Sequence, residues 1–255
     1  MSELTGLYAL WYREFKVFLS EKSRIISSLV SPLMWLVIFG SGLGSALGEG
    51  STGSFGGVAY TTFIYPGILV MAILFSTVFF GLYIILDKRV DFLKEVFVSP
   101  VSRTTIFFGK VLGGSTDGII QVLILLALGG FFGMHYTPFN VVASLLILIA
   151  LAISTVSLGL VIGAFMSSPE GFGLISGFLI FPLFFLSGAL FPVSTLPSWL
   201  AIFVRINPLS YGVDALRDVL LGISGFGLAL DVAVMLSFMT IMIVIGTWSF
   251  RRMKL

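Results

Sequence analysis

The chain has no cysteine, a single histidine (His135), and charged side chains at only 10% of its 255 positions. Without cysteine there is no disulfide framework, iron–sulfur cluster or thiolate zinc site. One histidine leaves any histidine-based metal cluster short of ligands. A water-soluble domain carries roughly 25% charged residues, so these charges are too sparse to cover a soluble surface. The net charge of +2 is too small to create the basic field that binds nucleic acid, and no low-complexity tail is present. What the chain has in excess is apolar surface: 58% hydrophobic residues, 26 of them Phe, with a mean hydropathy of +1.13. Such a composition makes lipid the main solvent.

A helix needs about 20 apolar residues to cross a bilayer. Six segments of the chain qualify: Ile25–Ala46, Phe63–Leu86, Ile106–Phe132, Val141–Met166, Phe172–Phe191 and Val232–Phe250. The first follows a stretch carrying both signs of charge and exceeds the length of a signal-peptide core, about 7–15 residues, so a permanent span is expected. The breaks have chemical causes. Gly42, Gly44, Gly48 and the Glu49–Gly57 stretch end the first span. Met134–Pro138 and Ser167–Gly171 turn the chain between later ones. Exposed backbone cannot face lipid, so these breaks belong at the interfaces.

Residues 181–227 are apolar yet interrupted by Pro182, Gly188, Pro192, Pro197 and Pro208. Two arrangements fit: short helices that enter the membrane and return, or a surface loop with short interfacial helices. Irregular backbone at membrane depth must be buried in protein or line a wet cavity.

Of the 14 basic residues, all but Arg205 and Arg217 precede the first span, lie between or beside the second and third, or follow the last. The positive-inside rule then places both termini in the cytoplasm of a plasma membrane, and an even span count agrees. The fold class expected is therefore an all-α integral membrane protein with six transmembrane helices, in one domain spanning 1–255. Ahead of the first span, residues 1–24 are amphipathic. Leu4, Leu7, Tyr8, Trp11, Phe15, Phe18 and Leu19 share one helical face, opposite Arg13, Glu14, Lys16 and Ser20. Such a helix lies on the inner leaflet or packs beneath the bundle.

The second cytoplasmic element, residues 87–105, is the most charged part of the chain. Asp91, Phe92, Lys94, Glu95, Val96, Phe97, Val98, Ser99, Pro100 and Val101 mix both signs with apolar residues, and Val90, Leu93, Phe97 and Val101 recur at helical spacing. Pro100 disfavours helix at Ser99 and so ends it. A short charged helix with apolar knobs is a docking device for a soluble partner; a solvated loop that fixes topology is the alternative.

Three stretches together resemble a known family: Lys94–Ser102 with Gly109-Lys110-Val111; Phe185-Leu-Ser-Gly-Ala-Leu-Phe-Pro192; and Ile206-Asn-Pro-Leu-Ser-Tyr211 with Asp214–Arg217. In this order the chain resembles the membrane permeases of type-2 ABC exporters, which handle drugs, lipid-linked molecules and polysaccharides. The resemblance implies six spans per protomer and a second permease copy, with a homodimer expected. Two cytoplasmic ABC ATPase subunits would hold the ATP and Mg, and this chain would bind no cofactor. It also implies that Asp91–Val101 is the coupling helix, that residues 1–24 are the connecting helix, and that Gly188, Pro192, Asn207, Pro208, Tyr211, Asp214 and Arg217 shape extracellular re-entrant helices. The chain has no phosphate loop of its own. The nearest candidate, Gly109-Lys110, is followed by Val111 and preceded by Thr104 where the first glycine belongs.

Inside the membrane, Asp117 is expected to pair with Lys110 or Gln121, or else to relay protons. Asp214, Arg217 and Asp218 share a face and are expected to pair locally. Glycines four apart, including Gly159/Gly163 and Gly173/Gly177, mark close helix approaches; the latter pair is a candidate seam between protomers. Trp35, Phe39, Phe181, Phe184 and Phe185 form a candidate aromatic substrate path, with simple packing as the alternative. Two other functions fit parts of the chain. An ion-coupled carrier would rest on Asp117, and an intramembrane hydrolase on Gly222-Ile-Ser224-Gly225 and His135.

Overall fold

A computed structural model describes residues 3–47 and 55–253. Gly48, most of the Glu49–Gly57 break and the basic residue Lys254 lie outside the described residues. The described chain folds into eleven α-helices and no strand: α1 (Glu3–Ser20), α2 (Lys22–Leu47), α3 (Tyr60–Phe79), α4 (Leu82–Arg89), α5 (Phe92–Val98), α6 (Arg103–Leu128), α7 (Pro138–Phe165), α8 (Pro169–Phe185), α9 (Ser198–Ile206), α10 (Pro208–Leu221) and α11 (Leu228–Arg252).

Five stretches are long and apolar enough to cross a membrane: Lys22–Ala46, Tyr60–Arg89, Arg103–Phe132, Pro138–Phe165 and Leu228–Arg252. The sixth expected span is α8, an apolar helix of 17 residues. It stops at Phe185 rather than Phe191, because the chain unwinds into the left-handed backbone of Gly188 (φ +71°). The protein is an all-α membrane protein.

The core sits around α3. Every residue from Phe63 to Leu74 is buried, as expected for a helix that is apolar all round. Helices α2, α6, α7, α8 and α10 surround it. The closest approach is at Gly159 and Gly163 of α7. There a Cβ on Gly159 would collide with the Val78 carbonyl, and one on Gly163 with the Gly81 carbonyl. The glycine spacing read from the sequence is thus a backbone-to-backbone seam. Gly173 and Gly177 differ: a Cβ at either would meet nothing within 4 Å, so that face of α8 is open within the protomer.

Helix starts follow a repeated cap. Thr137, Ser168 and Asn207 each precede a proline at the first helical position, and their side-chain oxygens accept from Asn140 N (3.2 Å), Gly171 N (3.1 Å) and Leu209 N (3.0 Å). Proline loses nothing there, since that N–H has no intrahelical partner.

Candidate functional site

The basic end of the bundle gathers α1, α4, α5, the start of α6 and the end of α11. Four of its charges meet there, three of them buried and Arg13 partly exposed. The Lys110 ammonium donates to Glu14 Oε1 at 2.7 Å and to Asp87. Arg13 closes the square, with Nη2 on Asp87 Oδ1 at 2.8 Å and Nη1 on Glu14 Oε1 at 2.6 Å. Lys110 is fully buried, and two cations against two carboxylates sum to no net charge. Burial would lower the affinity of Arg13 for its proton, but Asp87 and Glu14 outweigh that and raise it.

This arrangement corrects two expectations. The helical spacing places Glu14 opposite the apolar face of α1, yet the buried face is Gly6, Leu10, Glu14 and Phe18. The reason is that Gly109 and Gly113 of α6 let α1 settle close, with Leu10 and Glu14 against them. Lys110 was expected near Asp117. Instead Asp117 Oδ2 accepts from Arg24 Nη2 at 2.9 Å, and Arg24 also reaches Glu21 (3.4 Å) and the Tyr83 hydroxyl (2.8 Å).

Helix α5 hangs on this hub. Asp91 turns the chain from α4 into α5 in the left-handed region (φ +57°), a conformation Asp tolerates better than most side chains. Lys94 bridges to Asp91 at 2.6 Å. The apolar stripe faces inward: Leu93 is fully buried, and Val96, Phe97 and Val101 pack against the same cluster. The Arg13 guanidinium lies 3.8 Å over the Phe92 ring and Arg103 lies 4.8 Å over Phe97. The knobs that do project are therefore Val90 and Val98, 71% and 87% exposed, rather than the whole stripe. Glu95 and Pro100 are exposed beside them, and Ser99 folds its hydroxyl back onto the Val96 carbonyl at 2.6 Å. Glu3 reaches across from α1 to accept from Ser102 N at 3.2 Å and from the Thr105 hydroxyl. The Thr105 bond, partly opposed by burial and reinforced by Ser102, holds the Glu3 carboxyl below its ordinary value. Arg103 donates to the Arg251 carbonyl at 2.8 Å, closing the last turn of α11.

At the opposite end, the two proline-bearing motifs lock onto each other. Asn207 Nδ2 donates to the Leu183 carbonyl at 2.7 Å and Ser210 Oγ to Leu186 at 3.2 Å. Arg217 Nη2 donates to the Gly188 carbonyl at 3.0 Å. One face of α10 thus satisfies the carbonyls that the unwinding after α8 leaves open. Arg217 does not ion-pair with Asp214 or Asp218 as expected. It lies 3.9 Å over the Phe63 ring, while Asp214 accepts from Gly225 N (2.9 Å) and Phe226 N (2.8 Å) and fixes the turn before α11. The Ser224 hydroxyl serves that turn too, donating to Asp214 at 3.3 Å and accepting from Gly227 N at 2.9 Å. Tyr211 bonds the Arg205 carbonyl at 2.7 Å. Pro192 leads into a single 3-10 turn, Val193–Thr195. A cavity of about 820 Å³ lies between these elements and Phe63.

The five candidate aromatic residues come together between α2 and α8. Trp35 stacks on Phe39 at 4.7 Å, and Phe184 and Phe185 meet it edge-on at 6.1 and 6.2 Å. Phe181 stacks on Phe185 at 6.3 Å. The Arg24 cluster at the foot of α2 is a finding of the structure; its sequence signal is an arginine set directly against the start of the apolar run at Ile25.

A bundle of apolar helices, with a charge-braced helix at its basic end and a proline-broken helical pair at the other, defines a multi-pass membrane protein. Comparison with known proteins specifies it further. The profile of the ABC-2 type transporter family matches residues 5–221, and the chain belongs to that family. It is 27% identical over 243 residues to the inner membrane transport permease YadH of Escherichia coli K12, covering 91% of this chain and 90% of YadH. It is 26% identical over 219 residues to the daunorubicin resistance ABC transporter permease protein DrrB1 of Streptomyces coeruleorubidus, covering 85% and 75%. The protein is accordingly a transmembrane transport subunit of an ABC transporter, multi-pass in the cytoplasmic membrane.

Proposed function

We propose that this chain is the membrane half of an exporter that moves an amphipathic molecule out of the cytoplasm. Two separate cytoplasmic ATPase subunits, which carry the ATP and Mg, would drive it through α5. The observation that carries this reading is α5 itself. It is a seven-residue helix with Val90 and Val98 bare, flanked by the exposed Asp91, Lys94 and Glu95, and it is braced from behind by the Arg13–Glu14–Asp87–Lys110 square, of which Glu14, Asp87 and Lys110 are buried. A push on α5 would pass to α4 and α6 as a rigid displacement rather than be absorbed in a soft loop. Asp117, tied to Arg24, is poorly placed to act as the free carboxylate of an ion-coupled carrier.

The second permease copy would meet this one along α2 and α8. The open glycine face of Gly173 and Gly177, with exposed Leu174 and Phe178, supports a homodimer seam there, and the Trp35–Phe185 aromatic cluster would border the path between protomers. The pair α9–α10 would form re-entrant helices closing that path from outside, with α1 on the inner leaflet.

The lack of native cysteine makes the test direct. Val98→Cys, in membranes containing the cognate ATPase, should form a disulfide with a single cysteine placed on the ATPase surface. Val98→Asp should abolish transport and lower ATPase retention on the permease while membrane insertion stays normal. Full ATPase retention and transport in Val98→Asp would refute the assignment.

A further inference from the structure

The cavity of about 820 Å³ at the end opposite α5 has the size of a small-molecule site, about 300–1,000 Å³. Among the described residues, three charged side chains line it: Arg205, Asp214 and Arg217. Two cations against one carboxylate leave a surplus positive charge. Asp218 and Asp231 neighbour Asp214 but do not line the cavity. The one lining carboxylate is already spent within the protein, because Asp214 accepts from Gly225 N, Phe226 N and the Ser224 hydroxyl. The cations are not spent. Arg217 donates through Nη2 to the Gly188 and Ala189 carbonyls, yet its buried Nε–H has no acceptor. Arg205 is exposed and has no ion pair among the described residues. A buried donor left open calls for an acceptor, and guanidinium groups bind the oxygens of phosphates and carboxylates above all others.

Helix α9 joins this cavity to lipid. Ala201 and Arg205, four residues apart, line the cavity. On the adjoining face Trp199, Ile202, Phe203 and Ile206 are all more than half exposed. A short amphipathic helix with a bare apolar face lies in a membrane interface, and tryptophan settles at the level of the headgroups. We propose that the cavity binds the phosphate of a monoanionic phospholipid, held by Arg205 and Arg217, with the acyl chains leaving along the exposed face of α9. Free phosphate offers the same oxygens, but it has no use for the apolar face beside them. Because Arg205 stands on α9 and Arg217 on α10, the bound headgroup ties the two helices together. The site is independent of α5 and of the coupling assigned to it.

The test places a bimane fluorophore on Ser194→Cys, at the exposed edge of the cavity, in the delipidated permease complexed with a cysteine-free ATPase. Phosphatidylglycerol with a nitroxide near the top of one chain quenches the fluorophore only on close approach. Diacylglycerol with the same nitroxide keeps the chains and lacks the phosphate. Phosphatidylglycerol should quench at a concentration at least about tenfold lower. Arg205→Gln removes an exposed charge without touching the core, and should weaken phosphatidylglycerol about tenfold, the loss of one charge-assisted hydrogen bond. Arg217→Lys keeps the charge, removes the Nε donor and should weaken it similarly; if that variant fails to fold, Arg205→Gln decides alone. Arg252→Gln, at the opposite end of the bundle, should change nothing. Equal quenching by the two lipids, or undiminished phosphatidylglycerol binding in Arg205→Gln, overturns the site. Relief of quenching by inorganic phosphate at the lipid's own concentration would make free phosphate the occupant and overturn the lipid assignment.

Discussion

Arg217 on α10 donates to the carbonyl of Gly188, 29 residues earlier in the chain, at 3.0 Å. A left-handed glycine ends one helix, and an arginine on another supplies the donor which that ending requires. Arg217→Met keeps the apolar stem but leaves the carbonyl unpaired. The expected cost is about 2–3 kcal/mol, since a hydrogen bond from a charged donor is lost and a buried acceptor is stranded. Thermal unfolding of the detergent-purified protein should show it, and Arg217→Lys should recover only part, since an ammonium lacks the planar face that lies over the Phe63 ring.

The Lys110 square behaves as a unit. Lys110→Met should destabilise by about 3–5 kcal/mol, because Glu14 and Asp87 then share a buried excess of negative charge. Lys110→Met combined with Glu14→Leu leaves the neutral pair Arg13–Asp87, and should be more stable than Lys110→Met alone. A double variant no better than the single would show that the charges act independently.

Gly159 should not tolerate a methyl group. Gly159→Ala drives a Cβ into the Val78 carbonyl, where backbone rather than a flexible side chain must yield, at an expected cost of about 3 kcal/mol. Gly177→Ala, on the open face of α8, should leave the stability of the isolated protomer within about 0.5 kcal/mol; in the proposed homodimer it would alter self-association alone, read by cross-linking or light scattering.

The Glu3 clasp carries a pH signature. Its carboxyl is held below the ordinary value of 4.5, so the tie between α1 and the start of α6 is complete above that pH. It is lost as pH falls through the lowered value of the folded state. Protease protection of the α1 N-terminus should therefore persist at pH 4.5 and fall only in stronger acid. Glu3→Gln should remove that acid-dependent step.

Hydropathy alone located the five long helices, because a lipid-crossing segment must satisfy its backbone internally and be apolar along its length. The breaks at Met134–Pro138 and Ser167–Gly171 were equally legible, being local chemistry, whereas the caps that Thr137 and Ser168 supply there are a finding of the structure. The polar partnerships were not legible. Lys110 and Asp117 are near in sequence, but seven residues are two turns, about 10 Å along the axis, too far for a pair. Their real partners come from α1, α4 and the foot of α2. Asp214 and Arg217 share a face by spacing, yet each turns to backbone groups of distant residues, which no side-chain pattern records. Glu14 was misplaced because an amphipathic projection sorts residues by type and does not anticipate a buried lysine on another helix. Membership of the ABC-2 family was readable from the Ser-Gly-x-x-Phe-Pro and Asn-Pro-x-Ser-Tyr motifs. The structure supplies their physical reason, since the second motif grips the main chain around the first.

The self-cancelling square behind α5 has one more consequence. Surface charges are screened within about 8 Å at physiological ionic strength, whereas buried ones hardly feel the surrounding electrolyte. In the proposed coupling, a rise in cytoplasmic salt would weaken the grip of the ATPase on the charged tip of α5, yet leave the brace behind it nearly as stiff as before. Osmotic stress would therefore govern how often the engine engages, not how faithfully each stroke is delivered.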